Sequence, residues 1–113
     1  MTVLSTHVLD TARGRPAEGI DVSFEVRDRD GRWRCLAKGR TDADGRVGKL
    51  AQARADRGVH RLVFLTGPYL REQAAADPAF FPEVTVLFDL SGEERCHVPL
   101  LLGPYGYTTY RGS

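Results

Sequence analysis

The stretch IDVSFEVR, residues 20–27, alternates apolar and polar side chains without a break. Ile20, Val22, Phe24 and Val26 fall on one side, and Asp21, Ser23, Glu25 and Arg27 on the other. Successive side chains of an extended chain point to opposite faces, so the pattern predicts a strand with one dry and one wet face. Shorter runs of the same kind occur at 3–9, 33–38, 59–65, 84–89, 96–102 and 107–110. Between them lie ARGRPAEG (12–19), DRDG (28–31), TDADG (41–45), LSGEE (90–94) and GPYG (103–106). Gly, Asp and Pro in these segments supply the backbone angles of chain reversals. Seven or eight strands at such spacing predict an all-β fold, an antiparallel sandwich. One stretch departs from it. In TGPYLREQAAAD (66–77), Pro68 suits a first helical turn, Leu70, Gln73 and Ala74 can share a face, and Pro78 ends the run.

A chain of 113 residues makes one domain, residues 1–113, and can bury roughly two thirds of its unfolded surface. No repeat, linker or low-complexity stretch divides it. Sixteen Lys and Arg against fifteen Asp and Glu leave a formal charge of +1. Such a balance exerts no long-range pull on nucleic acid or an anionic membrane, and the basic side chains are spread over many turns. The longest aliphatic block is PLLL (99–102), far short of a bilayer span. The opening MTVLSTHVLDTARGR has neither a basic n-region nor a long apolar h-region, so an unexported, cytoplasmic protein is expected. Cys35 and Cys96 are too few for a disulfide framework and form no C-x-x-C pair; two buried thiols are expected.

Several motifs resemble sites without completing them. DRDG and DADG look like the front of a calcium loop but lack the later ligands and the closing Glu, so they are read as hairpin turns. GPYGYTTYRGS (103–113) matches no phosphate-binding pattern. The histidines show no i, i+2 or i, i+4 pairing of the kind that anchors zinc, and no metal or other cofactor is expected. His60 is out of register with Val59 and Val63, which suits a structural or surface role. His7 lies in the first strand, with Val3, Ser5 and Leu9 on its face. His97 opens an apolar run interrupted by Pro99, which cannot donate a ladder hydrogen bond, and so it sits where a ligand can approach an edge or bulge.

Four stretches, LSTHVLDTARGRPAEGIDV, TDADGRVG, FFPEVTV and HVPLLLGPYGYTTYRGS, together resemble the transthyretin-like family in its 5-hydroxyisourate-hydrolysing branch. The resemblance runs from Val3 to Ser113, and Tyr110-Arg111-Gly112-Ser113 is its most specific part. It implies a transthyretin-like sandwich of about eight strands with one short helix, assembled as a homotetramer, a dimer of dimers. It also implies ring opening of 5-hydroxyisourate by water. His7, Arg46 and His97 match the family's catalytic set, while Tyr110, Arg111, Gly112 and Ser113 match its terminal tetrapeptide and would form a wall of the substrate site; Thr108 could donate a hydrogen bond there. Arg95, Cys96 and Gly103 depart from frequent family residues, which bears on pocket polarity and the basicity of His97.

The residue types suit that chemistry. Opening a cyclic amide needs a base for the nucleophile, donors or a cation for the developing oxyanion, and an acid for the leaving nitrogen. Imidazole exchanges protons near neutral pH, and guanidinium stays charged and presents a planar fork to carbonyl oxygens. Which histidine acts as the base is left open. The alternative within the same fold is a non-catalytic carrier of a small aromatic ligand in the tetramer channel; carriers of that branch lack the His, Arg, His set and the Tyr-Arg-Gly-Ser ending.

Overall fold

The computed structural model describes residues 1–73 and 77–113. Its strands are β1 (Val3–Ser5), β2 (Val8–Asp10), β3 (Arg15–Pro16), β4 (Asp21–Arg27), β5 (Trp33–Arg40), β6 (Gly58–Leu65), β7 (Val84–Leu90), β8 (Arg95–His97), β9 (Leu100–Leu102) and β10 (Tyr107–Thr109). A 3₁₀ segment spans Gly48–Gln52 and a helix, α1, spans Thr66–Glu72. The 20–27 alternation becomes β4, a central strand of the antiparallel sheet β5-β4-β6-β7. Val22 and Phe24 face inwards with Leu62, Phe64, Val84 and Val86, and meet Leu4, Val8, Leu100 and Leu102 of the opposing layer. Burying each such side chain contributes about 1.5–3 kcal/mol, which makes this two-layer core the main stabilising element.

A bulge breaks the β4–β5 register: Phe24 opposes Ala37 but Glu25 opposes Cys35, leaving Leu36 extra. Leu36 and Ala37 both pack on the core. Cys35 is thereby turned outwards with Glu25 and is exposed, which corrects the expectation of two buried thiols; Cys96 is buried, and both are free. His60 takes the structural role. It is fully buried, stacked against Phe24 and Phe88 at centroid distances of 5.4 and 6.3 Å. Its Nδ1 donates to the Gly58 carbonyl at 2.7 Å.

The second layer has the order β10-β9-β2-β3, with β1 and β8 paired alongside. Its β9–β10 and β2–β3 pairs are antiparallel, whereas β1–β8 and β2–β9 are parallel. The parallel seam keeps one register, with Val3 opposite Arg95, Ser5 opposite His97, Val8 opposite Leu100 and Asp10 opposite Leu102. The expected strands at 3–9 and 96–102 are each interrupted here. Pro99 has no N–H to donate, and the chain bridges the gap by Val98 N–H to the Ser5 carbonyl and Leu100 N–H to the His7 carbonyl, both 2.9 Å. Thr6 Oγ1 completes it by donating to the Val98 carbonyl at 2.6 Å.

The helix packs Tyr69 and Leu70 inwards. Tyr69 donates to buried Asp10 Oδ2 at 2.7 Å, while Asp10 Oδ1 accepts the backbone N–H groups of Ala12 and Arg13, each at 3.0 Å. Burial, then the hydrogen bond and charge of Asp10, push the Tyr69 hydroxyl up to about 12, so it stays a donor. The expected apolar face at Ala74 lies outside the described residues. Among the described residues, no helix is long and apolar enough to cross a membrane.

Candidate functional site

Two short segments meet at the interrupted seam. The first is the TDADG turn. Asp42 Oδ1 accepts the N–H groups of Asp44 and Arg46 at 2.9 and 3.0 Å, so the carboxylate serves as the hub of the reversal. Those backbone bonds, led by that from Arg46, hold the Asp42 carboxyl below its usual range. The turn is pinned to the seam by Val8 N–H donating to the Gly45 carbonyl at 2.8 Å and by a bridge between His7 and Arg46. Gly45 has φ +76°, and a Cβ there would lie 2.4 Å from the Val8 carbonyl oxygen and 3.3 Å from His7 Cδ2. Close approach and a left-handed backbone together require glycine. The position two places from the end of β1 and the position after the DADG turn are thereby brought side by side.

The second segment is the end of the chain. Gly112 N–H donates to the His97 carbonyl at 2.7 Å. A Cβ on Gly112 would sit 2.6 Å from His97 Cδ2, so the backbone lies directly against the imidazole edge. On the ring's other flank, Ser5 Oγ is 2.8 Å from His97 Nδ1. An open cleft of about 520 Å³ is lined here by Ser5, Arg46, Arg95, Cys96, His97, Gly112 and Ser113. Partial burial holds the His97 imidazole below its ordinary value of 6.5, and the positive charges of Arg46 and His7 push the same way, opposed by the Ser5 backbone. His97 is therefore biased towards the neutral form, the form in which an imidazole accepts a proton.

His7, Arg46 and His97 are thus gathered from three remote parts of the chain, with Gly112 against His97 and Ser113 on the cleft wall. The other expected positions lie elsewhere within one chain. Thr108 is exposed on β10 opposite Leu101. Tyr110 and Arg111 line a separate cleft of about 220 Å³ beside Val86, Phe88 and Cys96. The Arg111 guanidinium pairs there with Glu93 at 3.3 Å. Within a single chain the terminal tetrapeptide is therefore divided between two clefts, Tyr110 and Arg111 lining one and Gly112 and Ser113 the other. Ser5 was legible only as a face-mate of His7; its contact with His97 depends on the parallel register of β1 and β8, for which local sequence carries no signal. Among the described residues no group of three or more His, Cys, Asp or Glu side chains is placed to hold a metal ion.

The HIUase/Transthyretin family matches residues 4–112. A curated relative from Salmonella typhimurium, named 5-hydroxyisourate hydrolase, is 44% identical over 113 residues, covering 98% of this chain and 81% of its own. The solved structure of Klebsiella pneumoniae 5-hydroxyisourate hydrolase superposes with a TM-score of 0.82 at 34% identity, over 100% of this chain and 94% of that one. The crystal structure of transthyretin from Sparus aurata superposes at 0.85 with 29% identity, over 97% and 96% of the two chains.

Proposed function

The chain belongs to the HIUase/Transthyretin family, and from that premise we propose that it hydrolyses 5-hydroxyisourate to 2-oxo-4-hydroxy-4-carboxy-5-ureidoimidazoline in urate degradation. The observation that carries this reading is that Arg46 and His97 line one cleft with Gly112 and Ser113, while His7 is bridged to Arg46 and close enough for its charge to act on His97. One imidazole removes a proton from water, whose oxygen attacks a ring amide carbonyl. Arg46 orients the heterocycle and faces the oxyanion of the tetrahedral intermediate. The C–N bond then breaks as the second imidazole delivers a proton to the leaving nitrogen, so that one water is added in all. Neither a nucleophilic side chain nor a cofactor is needed for these steps.

The reading includes a homotetramer in which residues 1–113 act as one domain. Thr108 and Tyr110 are exposed along the β10 edge, a position from which they and Arg111 take part in substrate binding across a subunit boundary. The cytoplasm suits the exposed free thiol of Cys35, since reducing compartments keep thiols unpaired.

Purified protein added to freshly generated 5-hydroxyisourate should speed its decay well above the spontaneous rate, and a chelator should leave that rate unchanged. His97→Asn and Arg46→Ala should each lower kcat/KM by about 100-fold or more, the usual effect of removing a positioned proton carrier or oxyanion partner. Decay no faster than the spontaneous reaction, together with saturable binding of an aromatic ligand, would favour the carrier instead.

A further inference from the structure

We propose that Ser5 is a positioning residue for His97, accepting the Nδ1 proton and thereby presenting an unprotonated Nε2 to the cleft as the base. The proposal rests on the hydrolase reading for its catalytic consequence, but the proton's position is a property of the free protein. Three features support it. Ser5 stands directly opposite His97 in the β1–β8 register, with its Oγ 2.8 Å from Nδ1. The influence of the Ser5 backbone on the ring favours the protonated imidazole, against the effect of burial and of Arg46 and His7. A serine hydroxyl oxygen can accept from an Nδ1–H at that distance. Gly112 lies against the opposite edge, where a Cβ would meet Cδ2 at 2.6 Å and Cγ at 3.2 Å. Clamped on both flanks, the ring projects its Cε1–Nε2 end, and fixing the proton on one nitrogen fixes the basic lone pair on the other.

The charged groups around the ring make the choice consequential. Arg46 comes from the 41–46 turn, His7 from the gap between β1 and β2, and Arg95 from β8 on the cleft wall. Glu93 and Arg111 act on Cys96, beyond the neighbouring strand position. Arg46 and His7 thus oppose an imidazolium, while the Ser5 backbone favours it. Such a balance lets His97 take a proton from water during the reaction and release it afterwards. A serine that instead donated to Nδ1 would place the ring proton on Nε2 and block the base.

The test needs no turnover at first. In protein labelled with ¹⁵N-imidazole, long-range ¹H–¹⁵N spectra above the His97 titration should show the Nδ1–H form in the wild type and in Ser5→Thr. Ser5→Ala should show both tautomers, and its His97 midpoint should move to lower pH, because an acceptor that stabilises the imidazolium has gone. Its kcat should fall roughly 10- to 100-fold with KM little changed, the range seen when partners that orient an imidazole are removed, and Ser5→Thr should restore it. An Nε2–H form in the wild type, or a midpoint that rises in Ser5→Ala, would overturn the proposal. If Ser5→Ala does not fold, the wild-type spectrum alone still decides. An Nδ1–H wild type that fails to speed ring opening would support the Ser5 clamp and sink the hydrolase reading.

Discussion

At the residue scale, the proposed reaction with His97 as base depends on the proton affinity of that imidazole. Its value is held below 6.5, first by burial and then by Arg46 and His7. A base must be neutral to act, so lowering its value extends activity towards acid. The acid limb of kcat/KM against pH should therefore have its midpoint below 6.5, and a limb above that value would remove His97 from the role of base. Stability follows the same sign. The unfolded chain binds the His97 proton more readily than the folded one, so this residue's contribution is present above 6.5 and is lost as pH falls towards the folded value. His97 was legible in the sequence because it heads an apolar run broken by Pro99. Ser5 was not, since nothing near it in the chain signals a partner 92 residues away.

At the element scale the TDADG turn does the positioning. As a hairpin turn it was readable from composition, and the Asp42 carboxylate bonding back to Asp44 and Arg46 is the local chemistry that Asp favours there. Where the turn docks was not readable, because docking depends on the gap in the seam at His7. Gly45→Ala probes that docking. The substitution imposes a left-handed conformation that costs an L-residue about 1–2 kcal/mol, and it drives a methyl into the Val8 carbonyl. The expected outcome is a lower denaturation midpoint together with a loss of kcat larger than the loss of folded protein, because Arg46 is displaced from His7. Unchanged kcat per folded molecule would show that the turn does not set the site. The bulge at Leu36 carries a similar lesson: the alternation in 33–38 was visible, but the extra residue that turns Cys35 outwards becomes apparent only against β4.

At the scale of the whole molecule, the strands and the two-layer core followed from alternation, because burial of one face leaves a period in the sequence. Assembly leaves a different trace, an apolar side chain where water should be. Phe80, Leu87, Tyr105 and Tyr110 are 65, 58, 72 and 55% exposed. Phe80 also packs edge-on to Phe81 at 4.8 Å and lies 6.2 Å from Tyr105, joining the segment before β7 to the β9–β10 hairpin. Among the described residues β7 and β10, which adjoin these groups, are edge strands of their sheets, and sheet edges favour addition of further copies. On the homotetramer reading, sedimentation should give a species of about four 12.5 kDa chains. Leu87→Lys makes the sharper test. The side chain is already exposed within one chain, so a charge there should leave the fold intact while penalising any interface that covers it. Smaller species with a native circular dichroism spectrum and reduced activity at low protein concentration are expected. A variant that sediments and reacts like the wild type would place Leu87 outside the interface, and a wild type that sediments as a single chain would remove the route by which Thr108, Tyr110 and Arg111 reach a substrate held beside His97.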